Sequence, residues 1–465
     1  MLITCTDDNV IPLIRRLSSH KASVFERNVL EHLGKDEIIF VTTSRGDIQK
    51  ISLPDKEWSY YGCLPQKFKK GTYAFLNIKP EYESQIALAF ALGSYHFDRY
   101  SSKTPQQGPF LLVSKETYHA VQPIVDALYL VRDLINQPAN HMGPADLANV
   151  AKRMAEQYKG DYRCVMGEDL AKAYPLIHLV GRGAEADRAP RFVTMSFKQK
   201  HAAKTVALVG KGVCFDSGGL NIKPDSGMLL MKKDMGGAAQ ILGLAQLLLA
   251  KDTPINLAVY LPLVDNAVDG KSMRPLDIVR SRSGKTVEVG HTDAEGRLIL
   301  ADTLTQACED QPDLLIDCAT LTGAARIALG PEVPAFFTNI SWIARELYEC
   351  SERMDDPLWQ MPLYQPYKES LKAMHVDLKN VANHGYAGAI IGALFLEEFV
   401  DPNIPWLHLD FMGWNPRSRP SFPEGGDAQG LRALYELILS FTHKDSHSDR
   451  LSAKRQTKLR LKPNS

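Results

Sequence analysis

The chain has 465 residues, 54 basic and 54 acidic side chains and a hydrophobic fraction of 45%. That balance excludes a disordered polyelectrolyte and gives no overall pull toward nucleic acid or an anionic membrane, and the length predicts about two domains. Seven cysteines, scattered singly as Cys5, Cys63, Cys164, Cys214, Cys308, Cys318 and Cys350, exclude a disulfide framework and read as thiols kept in a reducing compartment.

The first sixteen residues carry Asp7 and Asp8 and too short an apolar run for a secretion signal. Residues 1–120 read as a small α/β domain. Strands are expected at 37–43, 72–78 and 108–114, and a helix at 83–100. No chemical motif lies there. Residues 121–144 form a linker: a helix over roughly 117–135, then turns set by Pro138 and Pro144.

From 145 to 442 apolar strands and helices alternate. Strands are expected at 176–180, 192–197, 205–210, 255–261, 285–289, 313–318, 334–338 and 407–411. Helices are expected at 145–158, 236–250, 296–309, 342–353, 387–400 and 427–441. The predicted class is α/β: a small N-terminal α/β domain, then a larger one with a mixed, mostly parallel central sheet flanked by helices. The most apolar helix, 238–250, is too short to span a bilayer, so a soluble cytoplasmic protein is expected. Residues 443–465 carry a net charge of +5 and almost no apolar content, and read as a disordered tail.

Two stretches carry the chemistry. In 206–240, a buried strand runs into Lys211, Asp216, Lys223 and Asp234 among glycines. In 287–302, Asp293, Glu295 and Arg297 follow a short strand at alternate positions, which an extended backbone would point the same way. Lys211, Asp293 and Thr320 each follow a predicted strand, so parallel strands would bring their loops to one sheet edge. Four carboxylates with no His–Cys spacing suit two divalent cations sharing bridging ligands. Taken singly, each residue has a plainer role: an Asp after a strand caps a helix, a strand-end lysine is solvated, and Glu295–Arg297 is a surface ion pair.

The segments GKGVCFDSGGLNIKP, MKKDMGG and TDAEGR resemble the signatures of the cytosol (leucyl) aminopeptidases, the M17 dinuclear metallopeptidases. The likeness continues through ATLTGA (319–324), DLKNV (377–381), AGAIIGALFLEEF (387–399) and WLHLDFMG (406–413), and covers roughly residues 125–440. Asn136, Pro138 and Asn140 are similar to a further family segment, although loop and cap roles suffice for them. The resemblance implies a catalytic domain at 145–442. Asp216 and Glu295 would bridge two metal ions (Mn²⁺ or Zn²⁺), Asp293 would serve one, and Asp234 with a neutral Lys211 amine the other. A metal-activated water would attack the first peptide bond, Lys223 would stabilise the oxyanion, and Arg297 would hold a bicarbonate ion that moves the proton.

Met231, Thr320, Gly323 and Met412 fall near the family's pocket for the first residue, which implies removal of Leu and other neutral or apolar residues from peptides with a free N-terminal amine. A homohexamer is implied as well. His291 departs from the family's usual Asn. It alters loop hydrogen bonding, adds a ligand, or is a satisfied loop residue. Cys214, beside the metal loop, is either oxidant-sensitive or a small buried residue. Some relatives bind DNA, and a two-metal phosphoesterase is the enzymatic rival. The complete set of Lys211, Lys223 and Arg297 favours the peptidase, with no nucleic-acid or membrane partner expected.

Overall fold

The computed structural model describes residues 2–4, 37–42, 48–52, 58–75, 80–102, 108–200 and 202–443. The chain divides into two compact units, one of residues 1–129 and 415–425, the other of 130–414 and 426–465. The expectation for the tail lies outside the described residues.

The first unit holds a five-stranded sheet. Its strands are β1 (Leu2–Thr4), β2 (Glu37–Thr42), β3 (Ile48–Ser52), β4 (Thr72–Phe75) and β5 (Phe110–Val113), in the order β1-β5-β4-β2-β3. β1, β5 and β4 are parallel, whereas β2 runs antiparallel to both β4 and β3. Helix α1 (Pro80–Gly93) buries an unbroken run from Ile86 to Leu92. It ends seven residues before the expected stop at 100: Ser94 turns its hydroxyl back onto the Phe90 carbonyl at 2.8 Å, and the chain leaves the helix after Gly93. Helix α2 (Lys115–Asn136) follows.

The second unit is built on a nine-stranded sheet. Its strands are β6 (Asp161–Met166), β7 (Arg191–Phe197), β8 (Thr205–Gly210), β9 (Gly212–Asp216), β10 (Asn256–Asn266), β13 (Leu314–Ala319), β14 (Ala335–Thr338), β15 (Trp359–Gln360) and β17 (Trp406–Asp410). Strands β11 (Ile278–Arg280), β12 (Thr286–Glu288) and β16 (Leu378–Lys379) make a separate three-stranded sheet. The large sheet runs β15-β14-β17-β13-β8-β10-β7-β6, and β9 extends it along the far half of β10. The central strands β17, β13, β8 and β10 are mutually parallel, and antiparallel pairs flank them. β13 and β17 are buried at every residue because helices cover both faces, which is why they read as continuous apolar runs.

The helices are α3 (Pro144–Gln157), α4 (Gly236–Ala250), α5 (Gly296–Glu309), α6 (Ser341–Met354), α7 (Gly388–Glu397) and α8 (Leu431–His443). One apolar cluster joins Ala207, Val209, Leu315 and Trp406 to α5 and α7 and contains no residue of α4. Because strand side chains alternate, α4 lies on the other face, against β8 and β13. It comes very close: a Cβ on Gly237 would sit 2.1 Å from the Cys318 carbonyl oxygen. The mixed α/β architecture matches the expectation.

Three readings are corrected. Residues 176–180, expected as a strand, belong to a helical turn (Pro175–Gly181), because Pro175 sets its first position and the Asp302 carboxylate accepts the Leu176 N–H at 2.8 Å. β6 was not foreseen: it is an edge strand whose exposed alternate residues hid its pattern. Asp293 follows β12, which lies in the small sheet, so only Lys211 and Thr320 stand at the ends of adjacent parallel central strands.

Under the sheet, on the α5 side, Asp317 accepts the Trp406 indole N–H at 2.7 Å and pairs with His408 Nδ1 at 2.6 Å, all three fully buried. Burial opposes a charge on His408, but Asp317 outweighs it and raises the imidazole pKa. Asp317→Ala would leave two buried donors without partners, and we expect a loss of about 3 kcal/mol or more, read as a fall in the denaturant midpoint at unchanged slope.

Candidate metal centre

Where β8 ends, the backbone of Lys211 is clamped on both sides. Its N–H donates to the Cys318 carbonyl of β13 at 3.0 Å, and its carbonyl accepts the Ala238 N–H of α4 at 2.7 Å. This sends the side chain past the first turn of α5, over Gly296. A Cβ there would meet Lys211 Cε at 2.5 Å, so glycine is needed to give the lysine room. The ammonium lies 2.7 Å from Asp234 and 3.0 Å from Glu295, and donates to the Thr320 carbonyl at 3.1 Å.

β9 carries the chain to Asp216 at its C-terminal end, rather than through the loop the glycines suggested. Asn266, at the end of β10, donates to Asp216 Oδ1 at 2.8 Å, and the Gly218 N–H donates to the same oxygen at 2.9 Å. The two chemical stretches are then tied together. Thr292 receives the Asn221 N–H at 2.8 Å, returns its own N–H to Asn221 Oδ1 at 2.8 Å, and donates its hydroxyl to the Gly218 carbonyl at 2.6 Å.

The residues 293–297 are not extended. Glu295 has helical backbone angles and begins α5, so Asp293 and Glu295 converge through a turn and a first helical step, not through strand alternation. Asp216, Asp293 and Glu295 each offer an oxygen within 4.8 Å of the others. Lys223 lies 2.8 Å from Asp216 and 2.5 Å from Asp293. Each lysine thus spans two of the four acids. Asp234 is held from behind by the Thr320 hydroxyl at 2.7 Å.

The electrostatics follow from burial. Burial, with Glu295 close by, pushes the Asp216 carboxyl up to about 7; burial also lifts Asp234 to about 6 against the pull of Lys211. Burial opposes the charge on each lysine too, yet the acids win and both ammoniums are held above their ordinary range. Four acids in this space repel unless cations separate them, and the two ammonium groups stand where cations are wanted. The donor set, four hard carboxylates of which three are buried, fits divalent metal.

Arg297, on the first turn of α5, donates to the Asn380 carbonyl at 2.6 Å, while its buried Nε has no partner. Burial lowers it to about 10 despite Glu295 and Asp410. Asn380 holds the loop before Asp293. It accepts the Gly290 and His291 N–H groups at 2.7 and 3.2 Å and donates to the His291 and Ala294 carbonyls at 2.9 and 3.2 Å. His291 Nδ1 accepts the Asp293 N–H at 3.2 Å, so its role is in loop hydrogen bonding. Cys214 is fully buried, and burial raises its thiol pKa well beyond a reactive range.

Of the pocket candidates, Met231 is buried on a 3-10 turn (Met231–Met235) and Thr320 ends β13. A Cβ on Gly236 or on Gly413 would lie 3.1 Å from Thr320 Cγ2, which brings the start of α4 and the residue next to Met412 together around Thr320. Gly323 opens the helical turn Gly323–Leu329. Sequence reading missed Asn266, Thr292 and Asn380. It also missed Asp410, which accepts the Leu321 and Thr322 N–H groups at 3.0 and 3.1 Å and sets the loop after Thr320. The only signal for Thr292, Asn380 and Asp410 was their place inside the motif segments, and Asn266 lies outside them.

Residues 129–435 match the cytosol aminopeptidase family catalytic domain, and residues 33–112 match the M17 aminopeptidase N-terminal domain. The chain belongs to the cytosol aminopeptidase family. It is a metal-dependent hydrolase that acts as an aminopeptidase. It is 36% identical over 368 residues to the probable cytosol aminopeptidase of Chlamydia abortus, covering 76% of this chain and 73% of that one. It is 35% identical over 423 residues to that of Prochlorococcus marinus, covering 86% and 85%. The crystal structure of the cytosol aminopeptidase from Coxiella burnetii superposes with a TM-score of 0.82 at 39% identity, over 95% of this chain and 97% of that one. The bottromycin maturation enzyme BotP in complex with Mn superposes with a TM-score of 0.80 at 29% identity, over 91% and 96%.

Gly296 gives a sharp test of the packing around Lys211. In a helix, Gly→Ala ordinarily stabilises by about 1 kcal/mol. Here Gly296→Ala should displace Lys211 and lower aminopeptidase turnover by about 10²-fold while the circular dichroism spectrum stays native. Wild-type turnover in that variant would show that the lysine does not need its place.

Proposed function

We propose that the protein removes the N-terminal residue of peptides through two divalent ions held by Lys211, Asp216, Asp234, Asp293 and Glu295. The observation that carries this reading is the pairing of four acids, three buried and Asp293 half-buried, by two ammonium groups. Asp216 and Glu295 would be shared between the ions, Asp293 would hold one, and Asp234 with Lys211 would hold the other. Bound there, the ions supply Lewis acidity, which acidifies water near neutral pH and polarises the scissile carbonyl. Manganese is a candidate, since BotP is recorded with Mn; zinc is the other.

The two lysines take different parts. Lys211 is enclosed, with its side chain 3% exposed, and serves as a ligand once it gives up its proton. Lys223 is 14% exposed and has room to leave its acids, keep its charge and donate to the developing oxyanion. The partnerless Nε of Arg297 suits a bicarbonate ion, which would supply a proton acceptor. The Asp234 side reads the free α-amine of the substrate, which confines cleavage to chain ends. Met231 and Met412 favour Leu, Met and similar first residues, with Thr320 and Gly323 completing the pocket. On the family resemblance, the assembly is a homohexamer. Among the described residues no helix is long and apolar enough to cross a membrane.

Chelation should abolish turnover, and Mn²⁺, Zn²⁺ or Co²⁺ should restore it. Because the ion displaces the Lys211 proton and needs Asp216 and Asp234 ionised, metal affinity should rise with pH through the interval from about 6 to about 7, where those carboxyls lose their protons. Metal titrations at several pH values read this directly, and an affinity that falls as pH rises contradicts the ligand set.

The lysines separate by substitution. Lys211→Ala and Lys211→Arg should both lose one ion, since a guanidinium does not deprotonate. Lys223→Ala should keep both ions and lower kcat by about 10²–10³-fold, with partial recovery in Lys223→Arg. Metal content and steady-state kinetics decide between this assignment and its reverse.

A further inference from the structure

Next to the candidate ligand Asp234 stands a lysine that the reaction does not use. Lys233 is 2% exposed, yet among the described residues its ammonium makes no hydrogen bond and no ion pair; its neighbour Lys232, by contrast, donates to the Asn136 carbonyl at 2.6 Å. The acid that acts on it most strongly is Asp234, which is already engaged by Lys211 and Thr320. Its other charged neighbours are the cations Arg326, Lys211 and Lys223. Its charge is therefore left uncompensated in a buried place. A buried lysine without a partner costs several kcal/mol, and metal ions bound beside it would add to that cost.

Its surroundings are those of the proposed first-residue pocket. Lys233 shares the 3-10 turn with Met231, and Thr320 binds the next residue. Arg326 belongs to the turn opened by Gly323, and its guanidinium comes within 3.5 Å of a Cβ built on Gly323. Arg326 likewise has no ion pair or side-chain hydrogen bond among the described residues. Two cations whose side chains make no ion pair among the described residues therefore stand beside the residues proposed for the first-residue pocket.

We infer that Lys233, supported by Arg326, is a specificity residue that takes the side-chain carboxylate of an acidic first residue, so that the enzyme removes N-terminal Glu and Asp as well as apolar residues. The inference rests on the aminopeptidase reading of the site and names a further substrate class for it. The carboxylate supplies the anion the pocket lacks. The methionines pack against the methylenes of the same side chain, as they would against Leu or Met.

The test compares Glu-, Gln- and Leu-p-nitroanilide on metal-loaded wild type, Lys233→Met and Lys233→Arg. Gln matches Glu in shape and lacks its charge. We expect wild type to prefer Glu over Gln in kcat/KM. Lys233→Met should lower the Glu-to-Gln ratio by about 10²-fold and raise kcat/KM for Leu, and Lys233→Arg should recover part of the ratio. Lys233→Met removes a buried charge at similar volume, so its melting temperature should hold or rise. Calorimetry reads the same contact without turnover: L-glutamate should bind wild type more tightly than L-glutamine does, and Lys233→Met should lose that difference. A wild type that discriminates against Glu relative to Gln in both measurements, or a ratio unmoved in Lys233→Met, overturns the inference and makes Lys233 a neutral packing residue. If no aminoacyl anilide is cleaved, the parent reading fails, and the calorimetric comparison still decides the role of Lys233.

Discussion

Everything around the centre depends on one electrostatic constraint: Asp216, Asp234, Asp293 and Glu295 are placed too close together, and the first, second and fourth are too deeply buried, to remain charged alone. Cations must lie between them. The fold meets this by ending a buried strand in Lys211 and by closing a glycine turn on Lys223, and the same geometry prepares the space for metal. Lys211 is the more constrained of the two. Strand β13, helix α4 and the bare Cα of Gly296 each fix part of its course. A methyl group on either glycine, 237 or 296, would disturb a side chain that neither glycine touches chemically.

The scaffold divides its work between the two faces of the sheet. On one face α4 packs against β8 and β13 and fixes the backbone of Lys211. On the other, α5 carries Glu295 and Arg297 at its first turn, and the Asp317–His408–Trp406 group locks β13 to β17 below. The ends of those two strands, Thr320 and Asp410, then set the loop that faces Asp234 and the candidate pocket. The chemistry is thus held by strand ends and helix starts, not by long loops.

Much of this was legible in the residues. Strands β8, β13 and β17 announced themselves as continuous apolar runs, and helices 236–250 and 296–309 were placed to the residue. The acids and lysines drew notice as charges among glycines directly after a buried strand, but each has a plainer role taken singly, and the resemblance of the surrounding segments is what assigns them. What could not be read was the local geometry. Alternating Asp293, Glu295 and Arg297 suggested an extended segment, yet three residues at a turn leading into a helix can converge just as well. Asn266, Thr292 and Asn380 looked like ordinary polar loop residues, since what marks them is which carbonyl or carboxylate they reach across 50 to 90 positions. The 176–180 run shows the ambiguity of a short apolar stretch, where Pro175 and a distant acid, Asp302, decided for a helical turn.

The distances along the chain have a consequence of their own. Lys211 meets Glu295 from 84 positions away, and the arginine beside it is held by Asn380 from 83. Parallel strands bring such segments together only after long crossovers close, which places them among the slower events of folding. No short piece of the nascent chain holds more than a fraction of the acids, and none has the clamp on Lys211 until β13 and α4 have docked. A hydrolase built this way is inert while it is being made: the ribosome-bound chain cannot attack peptides around it, and a proteolytic fragment that loses either half of the sheet loses the activity with it. Safety from premature peptide cleavage is therefore a property of the topology.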